Sequence, residues 1–213
     1  MDSANLDQWI DTLRCYEDGE SYTDEQVANL PYRNWGFTIY RTYYGPTSQQ
    51  AWETLLSKIT LGTQERTEEM TNSDSDDSEF QQLMSLFRLD ARSDGGTLSG
   101  LDMDQLRGVY RDRVGGMPMN ADYHDRYQLF LLADEEVLAD PELEMVKCVE
   151  FNYDAAQHVP RNSRLGGAQR YFGWMKMKVE TVPYLWNESG YRTLDSIAPQ
   201  TIGGMHLAIW EGD

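Results

Sequence analysis

Strand-like and helix-like hydrophobic patterns alternate along the first half of this chain, and this alternation constrains its fold more than any other feature. Residues 35–42 (WGFTIYRT) are rich in aromatic and β-branched side chains and alternate in polarity, which is typical of a strand. After a break at Gly45-Pro46, apolar residues recur at helical spacing at Trp52, Leu55, Leu56 and Ile59. A second strand–helix unit is predicted from a strand over 83–91 and a helix over 102–114.

Three further strands and a helix are predicted downstream. Residues 127–133 are apolar at both parities, as expected of a central strand that is covered on both faces. Residues 142–153 and 170–179 predict two more strands, and Pro183 stands where proline commonly begins a helix. This order indicates an α+β fold, in which helices cover mainly one face of a largely antiparallel sheet. A ferredoxin-like sheet is only a distant analogy.

The length of 213 residues suits a single domain spanning 1–213. Residues 1–33 are predicted to form an N-terminal helical extension, because Leu6, Trp9, Ile10 and Leu13 share one face of a helix. Residues 62–80 contain seven acidic residues and few apolar ones. Mutual repulsion of these charges predicts a mobile acidic loop.

The charge balance restricts the partners of the chain. It has 18 Lys and Arg against 36 Asp and Glu, a formal net charge of −18. Such a field repels phosphate backbones and anionic membranes, so neither nucleic acid nor a membrane is an expected partner. The longest strongly apolar run, Leu129 to Ala133, is far shorter than the roughly 20 residues that cross a bilayer.

The N-terminus and the cysteines predict a cytoplasmic protein. The first seven residues (MDSANLD) are acidic and lack the basic start and apolar stretch of a signal peptide. Cys15 and Cys148 lie far apart in the chain and form no metal-binding spacing. Two free thiols in a reducing compartment are therefore expected.

The common cofactor and metal motifs are incomplete in this sequence. Glycines 95, 96 and 100 have no following lysine for a phosphate-binding loop, and neither G-x-G-x-x-G nor G-x-S-x-G occurs. Residues 90–101 resemble a calcium loop at three positions but have Arg92 and Leu101 where acids are needed. The sequence therefore predicts no cofactor and no metal.

Two arginines are the first candidates for a functional site. Arg41 and Arg88 each follow an apolar stripe of the same parity on a predicted strand, which would bring both to one end of the sheet. Such a pair could hold a carboxylate or an enolate. The alternative is that each arginine pairs with a nearby acid such as Asp90.

The other candidates are aromatic or ionisable. The aromatic residues near predicted strand ends could line a ligand pocket or simply fill the core: Trp35, Tyr40, Tyr43, Trp174 and Trp186. His124 stands among acidic residues and could act as a general base, or lie on the surface. Lys147, Glu150 and Lys176 become acid–base candidates if they face inward from their predicted strands.

Several segments resemble a broad group of uncharacterised fungal proteins. They are residues 35–44 (WGFTIYRTYY), 87–90 (FRLD), 130–134 (FLLAD) and 173–175 (GWM). This resemblance covers roughly residues 33–190 and implies a cytosolic fungal protein. It carries no activity that can be transferred to individual residues.

Two functions are consistent with the sequence. The first is binding of a small molecule, with a cofactor-independent cyclase, isomerase or lyase activity in which Arg41 and Arg88 hold an oxyanion. The second is a protein-interaction module that engages a basic partner through the acidic loop and the N-terminal helix. The sequence does not indicate the substrate or the oligomeric state.

Overall fold

The computed structural model of the protein describes residues 5–16, 20–140, 142, 144–158, 169–202 and 204–212. Its strands are β1 (Trp35–Arg41), β2 (Phe87–Arg92), β3 (Leu129–Ala133), β4 (Met145–Glu150) and β5 (Trp174–Lys178). Its helices are α1 (Leu6–Thr12), α2 (Asp24–Ala28), α3 (Ser48–Thr71), α4 (Ser78–Leu86), α5 (Gly95–Leu98), α6 (Met103–Arg111), α7 (Glu135–Ala139), α8 (Ala155–His158), α9 (Val182–Ser189) and α10 (Leu194–Ile197). The predicted α+β class is confirmed.

The five strands form one mixed sheet in the order β2-β1-β3-β4-β5. β1 is parallel to both β2 and β3, whereas β4 is antiparallel to β3 and to β5. The expectation of a largely antiparallel sheet is therefore wrong for two of the four pairings. Parallel strands need long crossover connections. α3 and α4 lie in the connection between β1 and β2, and α5 and α6 in the connection from β2 to β3, on the other side of β1. These connections also depart from the β-α-β-β-α-β order of a ferredoxin-like sheet.

The larger core lies on the face of the sheet that carries Trp35, Phe37 and Ile39 of β1. All three side chains are completely buried. Helices α1, α3, α4 and α9 pack on this face and contribute, among others, Trp9, Ile59, Leu83 and Trp186. Burial of an apolar side chain of this size stabilises the fold by about 1.5–3 kcal/mol, so this layer is the main source of stability.

The opposite face of the sheet carries a smaller core. Tyr40, Phe130 and Leu132 of the central strands pack there against α5 and α6, which contribute Leu98, Leu106 and Tyr110. β3 is buried along its whole length, as its unbroken apolar run predicts. Helices therefore cover both faces of the sheet, with the longest of them on the first.

The N-terminal helix packs against its own chain. The predicted apolar face of α1 is buried in the larger core, and the Leu13 carbonyl that follows it accepts a hydrogen bond from the Arg33 amide at 2.8 Å. The Cys15 amide donates to the Pro31 carbonyl at 2.9 Å. These contacts fasten the extension to the segment that leads into β1.

The predicted acidic loop over 62–80 is wrong, because most of it is helical. α3 continues to Thr71, and α4 begins at Ser78. The buried side of this part of α3 is made of small residues, Gly62, Thr63 and Thr67, rather than of large apolar ones. A buried helical face is usually predicted from the periodicity of large apolar residues. This face lacks that periodicity, so the sequence does not predict it.

The predicted strand over 83–91 is also corrected. Residues 78–86 form α4, with Asp77 as its N-cap, and only then does β2 begin at Phe87. Phe80 and Leu83 are one helical turn apart and are both buried in the larger core. The strand is consequently shorter than predicted, and Arg88 becomes its second residue.

Candidate functional site

A groove of about 740 Å³ opens between α1, the end of α3, the 3₁₀ turn Asp125–Tyr127 and α9. It is lined by six aromatic side chains: Trp9, Tyr123, Tyr127, Tyr184, Trp186 and Tyr191. We call this cavity the aromatic groove. Small-molecule sites are typically roughly 300–1,000 Å³ in volume and rich in aromatic residues, so the groove has the dimensions of such a site.

The wall of the aromatic groove is a series of ring contacts. The ring centroid of Tyr127 lies 4.6 Å from that of Trp186 and 4.9 Å from that of Tyr123. Beneath this wall, the fully buried Trp35 lies 6.1 Å from Trp186 and 5.2 Å from Trp9. These separations are those of attractive aromatic pairs. The wall is thus supported directly by the larger core.

Several polar groups of the groove are left for a ligand. The Asn187 side-chain amide, half-buried on α9, makes no hydrogen bond to any described residue, and the same holds for the Tyr127 hydroxyl and the Gln8 side-chain amide. Amides and hydroxyls both donate and accept hydrogen bonds. The groove therefore combines flat apolar surfaces with polar groups that could orient a bound molecule.

Two of the groove tyrosines, Tyr123 and Tyr127, are neutral phenols at physiological pH. Burial raises the pKa of Tyr123 and that of Tyr127 above the ordinary value. The guanidinium of Arg33, 3.7 Å from the Tyr123 ring centroid, partly opposes this rise in both pKa values. Because the shift remains upward, the Tyr127 hydroxyl keeps its proton and can donate it to a hydrogen bond.

Two of the residues predicted for the site, His124 and Trp186, line the aromatic groove. The exposed His124 ring packs on Tyr123, with their centroids 4.6 Å apart. Trp186 is buried on α9 and forms part of the wall of the groove, next to Tyr127. Sequence reasoning missed Tyr123, Tyr127 and Tyr191, all of which lie in turns.

Arg41 is buried at the end of β1 and serves as an anchor for the start of α3. Its Nη1 donates to Gln49 Oε1 at 2.6 Å and its Nη2 to Ser48 Oγ at 2.8 Å. Its Nε donates to the Tyr43 carbonyl at 3.0 Å, and the Tyr44 ring centroid lies 4.5 Å from the guanidinium carbon. The aromatic groove does not include this side chain.

The predicted pairing of Arg41 with Arg88 is wrong. In the β1–β2 register Arg88 aligns with Gly36, five residues before Arg41, which is about 16 Å along a strand. The two positions also differ in parity and so point to opposite faces of the sheet. Neither arginine makes an ion pair with any described residue, so the alternative of local acid pairing is not supported either.

The other predicted aromatic residues lie away from the groove surface. Trp35 is completely buried beneath it, and Tyr40 packs on the opposite face of the sheet against Phe130, at 5.3 Å between centroids. Burial raises the pKa of Tyr40 to about 12. Tyr43 packs on the loop after β1, beside Gly45, and Trp174 lies on β5. Of the five aromatic residues predicted for the site, Trp186 alone lines the groove.

A polar cluster lies on the second face of the sheet, and we call it the lysine cluster. The buried Lys147 Nζ lies 2.6 Å from a carboxylate oxygen of Asp134 and 2.6 Å from one of Glu136. Lys176 Nζ lies 2.5 Å from the other Glu136 oxygen. Burial alone would raise the pKa of Glu136, but hydrogen bonds from both lysines outweigh it and lower that pKa. The buried Lys147 ammonium is thus neutralised by the carboxylates of Asp134 and Glu136.

His206, in the C-terminal segment, lies beside the lysine cluster. Its ring stacks on Trp174 with the centroids 3.5 Å apart, and its buried Nε2 makes no hydrogen bond to any described residue. Burial, with Lys176 and Lys147 nearby, lowers the pKa of His206 to about 4. The imidazole is therefore neutral at pH 7, and protonation would add a third positive charge beside two lysines.

We expect His206 to make the stability of the protein depend on pH. Its folded-state pKa lies below the ordinary value of about 6.5, so protonation favours the unfolded chain, and stability falls as the pH drops from about 6.5 towards 4. Since the ring is partly exposed, solvent screening reduces the loss to about 1 kcal/mol between pH 7 and pH 5. The measurement is urea unfolding at both pH values.

His206→Phe is the informative variant, because it preserves a ring against Trp174 and removes the titration. Between pH 7 and pH 5 the free energy of unfolding should fall for both proteins, and we expect the fall to be about 1 kcal/mol smaller for the variant than for the native protein. His124→Gln, at an exposed position, is the control and should retain the full dependence. Equal pH dependence of the native protein and His206→Phe would contradict the assignment.

Compared with protein-family models, with curated proteins and with solved structures, the chain matches none of them. Among the described residues, no helix is both long and apolar enough to cross a bilayer. Within that same part of the chain, no group of three or more His, Cys, Asp or Glu side chains is placed to hold a metal ion. Inferences about function therefore rest on the geometry of the aromatic groove.

Proposed function

We propose that this protein binds a small organic molecule in the aromatic groove. The observation that carries the proposal is the convergence of six aromatic side chains and several unused polar groups on one cavity of about 740 Å³. Aromatic faces provide apolar contact area, while amides and hydroxyls fix orientation. A planar ring system with polar substituents suits such a surface best.

The proposal is limited to binding and assigns no reaction. A cyclase, isomerase or lyase activity was expected to use Arg41 and Arg88 together to hold an oxyanion, and their separation removes that constellation. His124 lines the groove with its ring packed on that of Tyr123, and this ring contact does not assign it an acid–base step. Binding is the function that the remaining geometry supports.

The alternative function, docking of a basic partner, loses one of its two elements. The N-terminal helix was expected to engage a partner, but the apolar face of α1 is buried in the larger core. The acidic residues of 62–80 stay on the surface, mostly on α3 and α4. Surface charge alone supports solubility and steering of partners more than a specific interface.

A reducing compartment such as the cytoplasm is part of the proposal. Its support is that Cys15 and Cys148 are both free thiols, one partly exposed and one completely buried on β4. Burial raises the pKa of Cys148, which makes that thiol unreactive. We also propose, from the resemblance to fungal proteins, that this protein is of fungal origin. That resemblance supports no particular activity.

The binding proposal is tested by truncating an exposed part of the groove. Tyr191 is 70% exposed, so Tyr191→Ala should leave the fold intact while removing aromatic surface from the groove. With 1-naphthamide as a neutral planar probe, we expect the dissociation constant measured by NMR titration to rise about tenfold or more. Tyr16→Ala, at a half-exposed tyrosine outside the groove, should leave it unchanged. Failure of both naphthamide and its acid, 1-naphthoate, to bind, or equal effects of both variants, would overturn the proposal.

A further inference from the structure

The charges around the aromatic groove do not cancel at its surface. Two acids line the groove, and each forms an ion pair with an arginine outside the groove. Glu69 pairs with Arg66 at 2.6 Å, and Glu188 pairs with Arg192 at 3.1 Å. Arg126 also lines the groove and makes no ion pair or hydrogen bond to any described residue. The charge that the groove leaves without a partner is therefore positive.

A second arginine strengthens the positive potential at the same wall. The guanidinium of Arg33 lies 3.7 Å from the Tyr123 ring centroid, and Tyr123 is adjacent to Tyr127 in the wall. Both Arg33 and Arg126 act electrostatically on the Tyr127 hydroxyl, where they oppose the rise of its pKa by burial. The Tyr127 hydroxyl has no hydrogen-bond partner among the described residues. Tyr127 directly follows Arg126 in the 3₁₀ turn, and both residues line the groove.

We propose that the groove is selective for aromatic carboxylic acids. Arg126 and the Tyr127 hydroxyl would bind the carboxylate, and the faces of Trp186 and its neighbouring tyrosines would bind the ring. An arginine forms charge-assisted hydrogen bonds to a carboxylate, and a phenol adds a neutral donor beside it. This inference rests on the proposed function, because it names the class of ligand for that groove.

The large negative charge of the chain does not prevent this selectivity. At physiological ionic strength the Debye length is about 8 Å, so distant surface carboxylates are strongly screened. An arginine in direct contact with the ligand acts over a shorter distance than this. The net charge of −18 slows the approach of an anion, and the local arginine determines which ligand stays bound.

Two isosteric probes separate the inference from the function on which it rests. 1-Naphthoate and 1-naphthamide have the same ring and nearly the same shape, but only the first carries a charge. We expect naphthoate to bind the native protein about tenfold more tightly than naphthamide. In Arg126→Gln the two probes should bind within about twofold of each other, with naphthamide affinity unchanged. Arg88→Gln makes the same change of charge away from the groove and should keep the tenfold preference.

Each outcome of this experiment has a separate meaning. If both probes bind the native protein equally well, the groove is a binding site but the carboxylate assignment is wrong. If Arg126→Gln retains the preference for naphthoate, Arg126 is not the residue that selects it. If neither probe binds, the proposed function itself is wrong.

Discussion

Gly36→Ala is expected to lower the free energy of unfolding by more than about 4 kcal/mol, enough to prevent folding of a marginally stable domain. Gly36 has a φ of +115°, an angle that residues other than glycine rarely adopt. An added Cβ would lie 2.1 Å from the Arg88 carbonyl oxygen. The oxygen belongs to β2, which is paired with β1 at this position. Relief of the clash would require separation of the two strands.

The measurement is urea unfolding followed by circular dichroism. Gly108→Ala on α6 is the matched control, because its Cβ would meet no atom within 4 Å and its backbone is helical. Alanine favours a helix over glycine, so this control should be up to about 1 kcal/mol more stable than the native protein. An unfolding midpoint of Gly36→Ala close to that of the native protein would show that the two strands can move apart at little cost.

The strands of the sheet could largely be predicted from the sequence, because their signal is local. β1 and β3 have the composition and the parity pattern of buried strands, and both are found within a few residues of their predicted positions. Their direction could not be predicted in the same way. Whether neighbours run parallel depends on connections, and the crossover between β1 and β2 passes through residues 62–80, for which the acidic composition predicts a loop.

The helical part of 62–80 was missed because its stabilising contacts are distant in sequence. Arg66 Nη2 lies 2.5 Å from a carboxylate oxygen of Glu180, 114 residues further along the chain. Gly62 allows close packing there, since an added Cβ would lie 2.8 Å from the Glu180 Cβ. Neither contact has a local pattern, whereas the acidic composition of the segment is obvious and misleading.

The aromatic groove could be predicted only in part for the same reason. Its walls come from α1, α3, the turn at 125–127 and α9, which are brought together by the larger core. Trp186 was identifiable as an aromatic residue near a predicted strand end, and His124 by the acidic residues around it. The positive group, in contrast, was expected at Arg41 and Arg88. Arg126 shows no comparable pattern, because it lies in a turn and directly follows an acid, Asp125.

Trp35→Leu is expected to lower the free energy of unfolding by about 3–5 kcal/mol, the range for loss of a large buried aromatic side chain. The Trp35 ring lies 5.2 Å from Trp9, 4.8 Å from Phe87 and 6.1 Å from Trp186 between centroids. Its Nε1 donates to the Leu83 carbonyl at 2.8 Å, so the substitution also leaves a buried acceptor without its partner. Urea unfolding measures the loss.

The same substitution should also weaken binding in the aromatic groove, although Trp35 is completely buried and cannot touch a ligand. Trp9 and Trp186 rest on its ring and would shift into the space that leucine leaves. We expect naphthamide to bind several-fold more weakly to Trp35→Leu, whereas Tyr191→Ala should impair binding with native stability. If Trp35→Leu is destabilised but binds the probe with native affinity, the wall of the groove does not depend on the core beneath it.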